Sequence, residues 1–251
     1  MKIQFSTFTI IAGLILICLI PAVPSSYANL VAYWPLDEGS GKEIKDATEN
    51  GYNGTFKGNP VWTDGIYNKG LEFGGADYVE VPDADNIKPE SITIETWVYF
   101  KDVSGRQDFL SRNDDYALSL GGNPKDGKVW GVITTAGDWL DVEGGTVLEA
   151  NKWYHVAMTY NKATKKATLY LDGKKDGEGS APSGMEHRFG GALTIGTYQD
   201  RFLKGKLDEI RIWDEVLSEQ QIQDSMKPAP VESAGKLSLT WGGIKVMAEV
   251  F

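Results

Sequence analysis

From Leu30 to about Trp213, the chain consists of short segments in which apolar and polar residues alternate. The segments are rich in Val, Ile, Thr, Tyr, Phe and Trp, and clusters of Gly, Asn, Asp and Pro separate them. This pattern is typical of antiparallel β-strands that bury one face. It predicts strands over residues 30–36, 70–73, 78–81, 92–100, 109–111, 116–120, 128–134, 139–142, 153–160, 166–172, 192–195 and 203–213.

The connections between these segments are turns rather than helices. Asp172-Gly173 is a tight-turn signal, and the first helix signal comes at Ser218, a predicted N-cap for a short helix over 219–226. Many strands without a βαβ pattern predict an all-β fold with two antiparallel sheets packed as a sandwich, followed by a short C-terminal helix and a tail. We expect the strand-borne tryptophans to lie in the core; they are at positions 34, 97, 153 and 213.

The N-terminal segment differs from the strand-rich part. Lys2 precedes a run from Phe8 to Ile20 that is almost purely apolar, and Ser26 and Ala28 supply the small residues of a signal peptidase site. We therefore predict a signal peptide over residues 1–28. A cleaved signal peptide implies secretion, to the periplasm or to the extracellular space.

The C-terminal segment also changes in composition. The domain is expected over residues 29–226. Residues 227–251 are expected to form a linker that contains Pro and Ala, followed by a C-terminal tail. Lys245 and Glu249 make that tail a poor membrane anchor, so no membrane span is predicted in the mature chain. Its alternative roles are a docking strand, a disordered end or an attachment to the cell surface.

Charge and cysteine content narrow the class of partner. The chain has 25 Lys and Arg against 35 Asp and Glu, which gives a net charge of −10. This balance argues against binding nucleic acid through broad basic patches. The one cysteine, Cys18, lies in the predicted signal peptide, so the domain has no disulfide and must gain rigidity from a large core or a structural metal.

Several motifs, taken in order along the chain, resemble one known family. The first strand and its acidic loop read LVAYWPLDEGSG over 30–41, and a D-x-x-x-N-G-x-x-G-T turn spans 46–55. A central strand reads WYHVAMT over 153–159, and a closing strand reads LDEIRIW over 207–213. These motifs resemble the LamG-like (laminin G/pentraxin-type) jelly-roll domain of the concanavalin A-like lectin/glucanase superfamily. The resemblance implies a jelly-roll topology, on which lectins, adhesion modules, enzymes and spacers all occur.

The resemblance also implies a structural Ca²⁺ ion between the first and last strands. Ca²⁺ takes six to eight oxygen ligands, and no loop here has the spacing of an EF-hand. Carried over residue by residue, the implied metal ligands are Asp208, Asp37, Asp46 and Asn53, with the first two favoured. The alternative is that Asp37 and Asp46 are turn residues and that Asp208 pairs with Arg211 or Lys206.

Catalytic patterns are missing from the sequence. Glycoside hydrolysis needs two facing carboxylates. Glucanases of the superfamily carry theirs in a Glu-x-Asp-x-x-Glu strand, and this chain lacks that motif. Glu95 stands beside Trp97 in a strand, and we interpret it as structural. His155 is expected to hydrogen-bond within its strand, and His187 lacks the partners of a zinc site.

Binding is the remaining function. Sugars stack their apolar ring faces on Trp or Tyr, while amides and carboxylates bind the hydroxyls. The residues of this kind that lie in or beside loops, and that form our predicted ligand-binding set, are Trp130, Trp139, Asn113, Asp115 and Tyr198. The alternative for each aromatic ring is packing of a loop onto the sandwich.

The sequence thus predicts a secreted, non-catalytic LamG-like module that binds carbohydrate or another extracellular ligand, with a structural calcium. Its partners would be an extracellular glycan or protein, and not a nucleic acid. Two alternatives stay open: a divergent glycan-active hydrolase or lyase, and a surface scaffold or adhesion domain that binds no glycan.

Overall fold

The computed structural model describes residues 30–113, 115–121, 127–187 and 191–228. In this part of the chain, two eight-stranded antiparallel sheets form a sandwich and one short α-helix follows the last strand. The predicted all-β sandwich with a C-terminal helix is confirmed. The predicted signal peptide and most of the predicted tail lie outside the described residues.

The elements follow one another as predicted from the alternation, with some additions. In chain order they are β1 (Leu30–Trp34), β2 (Glu43–Ile44), β3 (Gly54–Lys57), β4 (Val61–Asp64), β5 (Lys69–Gly74), β6 (Tyr78–Val81), β7 (Ile92–Phe100), β8 (Gln107–Arg112), β9 (Tyr116–Leu120), β10 (Lys128–Thr134), β11 (Trp139–Val147), β12 (Trp153–Asn161), β13 (Lys166–Leu171), β14 (Lys174–Ser180), β15 (Leu193–Ile195), β16 (Lys204–Trp213) and α1 (Glu219–Ser225).

The strands divide between two sheets. Sheet A has the order β14-β13-β12-β7-β16-β5-β4, with β1 also paired to β16, and sheet B has the order β11-β10-β9-β8-β15-β6-β3-β2. All the pairings between named strands are antiparallel. Neighbouring strands in space are often distant in sequence, which is the long-range pairing expected of a jelly roll.

Four strands were not predicted from the sequence: β2, β3, β4 and β14. The strand β14 reads KKDGEGS and has no apolar residue to mark it. It forms because Asp172 and Gly173 both adopt positive φ angles, 49° and 72°. This is the conformation of a two-residue hairpin turn, which pairs Leu171 with Lys174 and extends the sheet.

The expectation that all four strand-borne tryptophans lie in the core is only partly correct. Trp34 is fully buried between the sheets, whereas Trp213 packs with Ile222 of α1 in a second, smaller cluster. Trp97 and Trp153 are partly exposed. Successive side chains of a strand point to opposite faces of its sheet, and in β7 the buried core residues are the even-numbered apolar ones, so Trp97 points outward.

Helix α1 covers part of the outer face of sheet A. It begins at a capping box in which the Ser218 side chain accepts from the Gln221 backbone N–H and the Gln221 side chain accepts from the Ser218 N–H. Ile222 and Leu217 bury their side chains against Trp213 and Ala157 of the sheet. The helix therefore seals a face that would otherwise be exposed to solvent.

Candidate functional site

The first candidate site lies where β16 changes partner along one edge. Lys204–Leu207 of β16 pairs with β5, and Ile210–Trp213 pairs with β1. Asp208 and Glu209 therefore lie at the junction between the first strand and β5, which we call the seam. The implied proximity of the first and last strands is confirmed, because Trp34 pairs directly with Ile210.

A β-bulge shapes the seam. On the other edge of β16, Asp208 pairs with Trp97 and Arg211 pairs with Glu95, so that β16 has one residue more than β7 in this interval. Glu209 has a positive φ angle of 54°, which is uncommon outside glycine. The extra residue interrupts the alternation of faces along β16. The side chains of Asp208 and Glu209 therefore both lie at the seam.

The Asp208 carboxylate is buried and only partly hydrogen-bonded. Its side chain has no exposed surface, Oδ2 accepts a hydrogen bond of 3.0 Å from the Tyr67 backbone N–H, and Oδ1 has no hydrogen-bond partner among the described residues. A buried carboxylate with so few donors is unfavourable in its charged form. Burial, with the nearby charges of Glu209 and Asp37, accordingly raises the pKa of Asp208 to about 8.

Backbone oxygens surround the same place. A Cβ atom on Gly65 would collide with Asp208 Oδ2 and with the carbonyl oxygens of Tyr67 and Lys69, the Tyr67 oxygen at 2.7 Å. A glycine is therefore required here, since any side chain would meet these three oxygens. Carboxylate and carbonyl oxygens are the ligands that Ca²⁺ prefers.

Asp37 holds the loop that approaches the seam from β5. Its Oδ1 accepts from the Lys69 backbone N–H at 3.0 Å, and its Oδ2 accepts from Asn68 Nδ2 at 3.1 Å. Unlike Asp208, Asp37 is exposed. The structure therefore brings together two of the four predicted metal ligands, Asp208 and Asp37, around the Gly65–Lys69 loop.

Asp46 and Asn53 lie in a different setting. Asp46 is buried, and its two carboxylate oxygens accept from the backbone N–H groups of Tyr33, Thr48 and Tyr52 and from the Thr48 hydroxyl, at 2.7–3.0 Å. Asn53 Oδ1 accepts from the Asp46 N–H. These bonds occupy the acceptor positions of the carboxylate, so the structure gives Asp46 and Asn53 the role of fastening the 46–53 loop to β1.

A buried polar network continues from the seam under α1. Arg211 donates to Glu209, lies 4.5 Å from the Tyr33 ring centroid, and donates to the Ser225 carbonyl at 2.8 Å. Tyr33 Oη donates to Glu209 Oε2 at 2.8 Å. Because Arg211 is paired with Glu209, the alternative in which Asp208 forms the ion pair with Arg211 is not what the structure shows.

Glu95 and His155 lie at the far end of this network. Glu95 accepts from Trp213 Nε1 and from the Ser225 hydroxyl, and it is fully buried. His155 hydrogen-bonds through its backbone, whose N–H donates to Asp172 Oδ1 at 2.9 Å, and its Nε2 lies 3.5 Å from Glu95 Oε2, whereas neither ring nitrogen has a hydrogen-bond partner among the described residues. Burial, reinforced by the charge of Arg211, lowers the pKa of His155 to about 3. Because Glu95 is fully buried, it has no exposed surface with which to contact a sugar.

The predicted ligand-binding residues fall into two groups on sheet B. In the first, the Arg106 guanidinium lies 4.2 Å from the Trp130 ring centroid and that of Arg201 lies 5.3 Å from the Tyr198 ring centroid. Both guanidinium groups donate to one buried carboxylate, that of Asp108, at 2.9 and 2.6 Å. Asp108 thus links the two aromatic residues, and each guanidinium lies over its neighbouring ring.

The second group lies at the opposite end of the β10–β11 hairpin. Trp139 exposes 59% of its surface, more than any other tryptophan in the described part of the chain. Asn113 is half-buried. Asp115 is fully buried, where it pairs with Arg112 and accepts or shares a proton with His187 Nδ1 at 3.0 Å. Of this group, only Trp139 presents a large free surface to a ligand.

Sequence reasoning missed three participants: Glu209 at the seam, and Arg106 and Arg201 beside the aromatic rings. The signal for Glu209 was its position directly after Asp208. Strict alternation, however, would have placed Glu209 on the face opposite to that of Asp208. Arg106 and Arg201 are 95 residues apart in the chain, and no local pattern connects them. Only the pairing of β8 through β15 to the loop before β16 brings them together.

Within residues 30–113, 115–121, 127–187 and 191–228, no group of three or more His, Cys, Asp and Glu side chains is arranged to hold a metal ion. No described helix has the length and apolar character needed to cross a membrane.

The fold and the seam define an all-β sandwich whose first and last strands meet at a buried carboxylate. Residues 73–223 match a laminin G family model of the concanavalin A-like lectin/glucanases superfamily. The chain belongs to this family, as the sequence motifs implied.

Two curated relatives are similar in sequence to part of this chain. C-reactive protein 1.4 of Limulus polyphemus is 30% identical over 102 residues, which cover 36% of this chain and 42% of the relative. The rat Sushi, von Willebrand factor type A, EGF and pentraxin domain-containing protein 1 is 29% identical over 99 residues, which cover 36% of this chain and 3% of that protein. The chain thus spans less than half the length of these curated relatives.

Solved structures share the fold. Domain 4 of AbnA, an extracellular arabinanase of Geobacillus stearothermophilus solved in complex with arabinotriose, has a TM-score of 0.64 at 19% identity and covers 80% of this chain and 99% of that domain. The binding domain of Paraclostridial Mosquitocidal Protein 1 also has a TM-score of 0.64 at 19% identity, over 78% of this chain and 51% of that one. At these identities, the similarity establishes the fold alone.

Proposed function

We propose that this chain is a secreted, non-catalytic module that binds a carbohydrate on sheet B and a structural Ca²⁺ ion at the seam. The observation that carries the calcium is the buried Asp208 carboxylate, whose Oδ1 atom has no partner among the described residues. A bound cation would supply that partner and would keep the carboxylate ionised at neutral pH.

The seam residues fit a hard cation in their chemistry. Asp208 supplies a carboxylate, the Tyr67 and Lys69 carbonyl oxygens lie around Gly65 beside the Oδ2 atom of that carboxylate, and Asp37 lies close enough to raise the pKa of Asp208. Water molecules would complete the six to eight ligands of Ca²⁺. The ion would tie β1, β16 and the loop before β5 in a domain that has no cysteine.

Carbohydrate binding is supported by the surface of sheet B and by the comparisons. This sheet presents Trp139 together with Arg106, held in place by Trp130 and Asp108. Small ligands are bound where a few polar groups lie beside aromatic surface. The matching arabinanase domain was solved with arabinotriose, so a sandwich of this shape accommodates a sugar chain. Glu95, the acid that the sequence places beside Trp97, is buried beneath α1 and cannot contact a bound sugar.

A glycan array separates the proposed function from its alternatives. The secreted chain is applied in millimolar Ca²⁺ and in EDTA, and the bound glycans are then incubated with the protein and assayed for new reducing ends. We expect glycan binding without release of reducing ends, and weaker binding in EDTA. Release of reducing ends would instead indicate a hydrolase, and an absence of binding under both conditions would favour a scaffold domain.

A further inference from the structure

The outer face of the β10–β11 hairpin is a continuous surface that runs between the two groups of predicted ligand residues. Trp130 pairs with Glu143, and Thr134 pairs with Trp139. Directly paired residues lie on the same face of a sheet, and the buried Leu140 and Val142 mark the other face of β11. Trp130 and Trp139 therefore lie on the same, outer face of the hairpin.

The register also fixes how far apart these two residues are. The Trp130 pair and the Trp139 pair are four residue positions apart, which corresponds to about 14 Å along the strands. Between them, Val132 pairs with Asp141 on the same face. The surface thus offers an exposed indole at one end, a carboxylate in the middle and the Arg106 guanidinium over Trp130 at the other end.

On and beside this hairpin face, three basic side chains stand against four acidic ones. Arg106 and Arg201 share Asp108, Lys128 forms an ion pair with Glu143 at 2.9 Å, and Asp141 lies within the electrostatic influence of Arg106 and Asp138. A ligand with many carboxylates or sulfates would find no excess of positive charge here. Alternating donors and acceptors beside aromatic rings instead suit hydroxyl groups and the apolar faces of sugar rings.

We propose that the outer face of the β10–β11 hairpin binds a neutral, linear oligosaccharide along the strands, with Trp139 stacking on one sugar ring and Arg106 and Asp141 binding hydroxyls of rings further along. This inference rests on the proposed carbohydrate-binding function and specifies its ligand class. The distance between the two ends matches a chain of several sugar rings rather than a single terminal sugar.

The test is affinity electrophoresis of the full secreted chain in Ca²⁺. Native gels contain one soluble polysaccharide each: linear arabinan, arabinoxylan, mixed-linkage β-glucan or glucomannan as neutral chains, and polygalacturonate or alginate as acidic chains. We expect retardation in at least one neutral gel. Trp139→Ala should weaken that retardation about tenfold in apparent Kd, and Asp141→Asn should weaken it less.

A matched control and a length series complete the design. Val61 exposes 60% of its surface on β4 of the other sheet, so Val61→Ala should leave retardation unchanged, and the melting temperature of Trp139→Ala should equal that of the wild type. A trisaccharide from the retarding polysaccharide should compete, whereas its monosaccharide should not. Retardation in the acidic gels only, full retardation of Trp139→Ala, or equal competition by the monosaccharide would each overturn the inference while leaving glycan binding intact. No retardation in any gel would overturn both.

Discussion

Asp46 and Asp208 are both buried aspartates from the predicted metal set, yet their surroundings are opposite. Asp46 accepts four hydrogen bonds from backbone and hydroxyl donors of its own loop and β1. The Asp208 side chain accepts one hydrogen bond, from the Tyr67 backbone N–H, and its Oδ1 atom has no partner within the part of the chain that the structure describes. Burial alone therefore does not identify an ion site. The number of donors already directed at the carboxylate decides whether an external cation is needed.

The largest effect on stability should come from the satisfied carboxylate. Asp46→Ala leaves four donors around a buried side chain without their acceptor, and we expect the free energy of unfolding to fall by about 2–4 kcal/mol. Urea denaturation measures it. Asp102 accepts two hydrogen bonds from Ser104 in an exposed turn, so Asp102→Ala is the control and should cost less than about 1 kcal/mol. Equal losses in both variants would contradict the distinction.

The second effect is the response to calcium. A ligand that binds only the folded state at a hundredfold excess over its Kd stabilises that state by about 2.7 kcal/mol. For a domain of this size, Ca²⁺ added to EDTA-stripped protein should therefore raise the melting temperature by roughly 5–10 °C. Mg²⁺ should raise it less, because it demands stricter octahedral geometry.

Two variants assign this response to one aspartate. Asp208→Asn should abolish the shift with Ca²⁺, whereas Asp46→Asn should keep it despite a lower starting temperature. Identical melting curves in EDTA and in millimolar Ca²⁺ for the wild type would show that the seam holds no ion. A response that survives in Asp208→Asn would place the ion elsewhere.

The smallest effect is a pH dependence in EDTA. Asp208 remains protonated in the folded chain up to a pKa of about 8, whereas in the unfolded chain it ionises near its ordinary value of about 3.9. Between these values the folded state binds more protons, so its stability falls as pH rises, by at most about 1.4 kcal/mol per pH unit. Urea denaturation from pH 6 to 7 measures the free energy of unfolding of the wild type and of Asp208→Asn. We expect it to fall with pH more steeply in the wild type than in Asp208→Asn, and parallel dependences on pH would contradict this expectation.

Much of the architecture could be predicted from the chain because it depends on local signals. Alternation marks strands such as β7 and β12, and Ser218 marks the start of α1. The strand β14 escaped prediction because a polar edge strand is stabilised by its partner and its turn, rather than by apolar residues of its own. The prediction for the strand-borne tryptophans failed at Trp97 and Trp153. Alternation shows that a strand has two faces, but it does not show which of the two faces the core.

The candidate sites were only partly predictable, for a different physical reason. Asp208 and Asp37 entered through resemblance to the family. The four donors that occupy Asp46 are mostly backbone N–H groups, which no sequence pattern displays. The bulge at Glu209 depends on register between strands, and the Arg106–Asp108–Arg201 arrangement depends on contacts over 93 residues between Asp108 and Arg201.

The segment after α1 gives the molecule a direction. The Met226 carbonyl accepts from Trp97 Nε1 and the Lys227 carbonyl accepts from Arg211 on the outer face of sheet A, so the chain leaves the sandwich at Pro228 from the side opposite the β10–β11 hairpin face. Pro228, the last described residue, thus lies on the side of the domain that faces away from the hairpin. A tether attached directly at Pro228, to a sensor chip or to a larger assembly, would orient the hairpin face toward the surrounding solution.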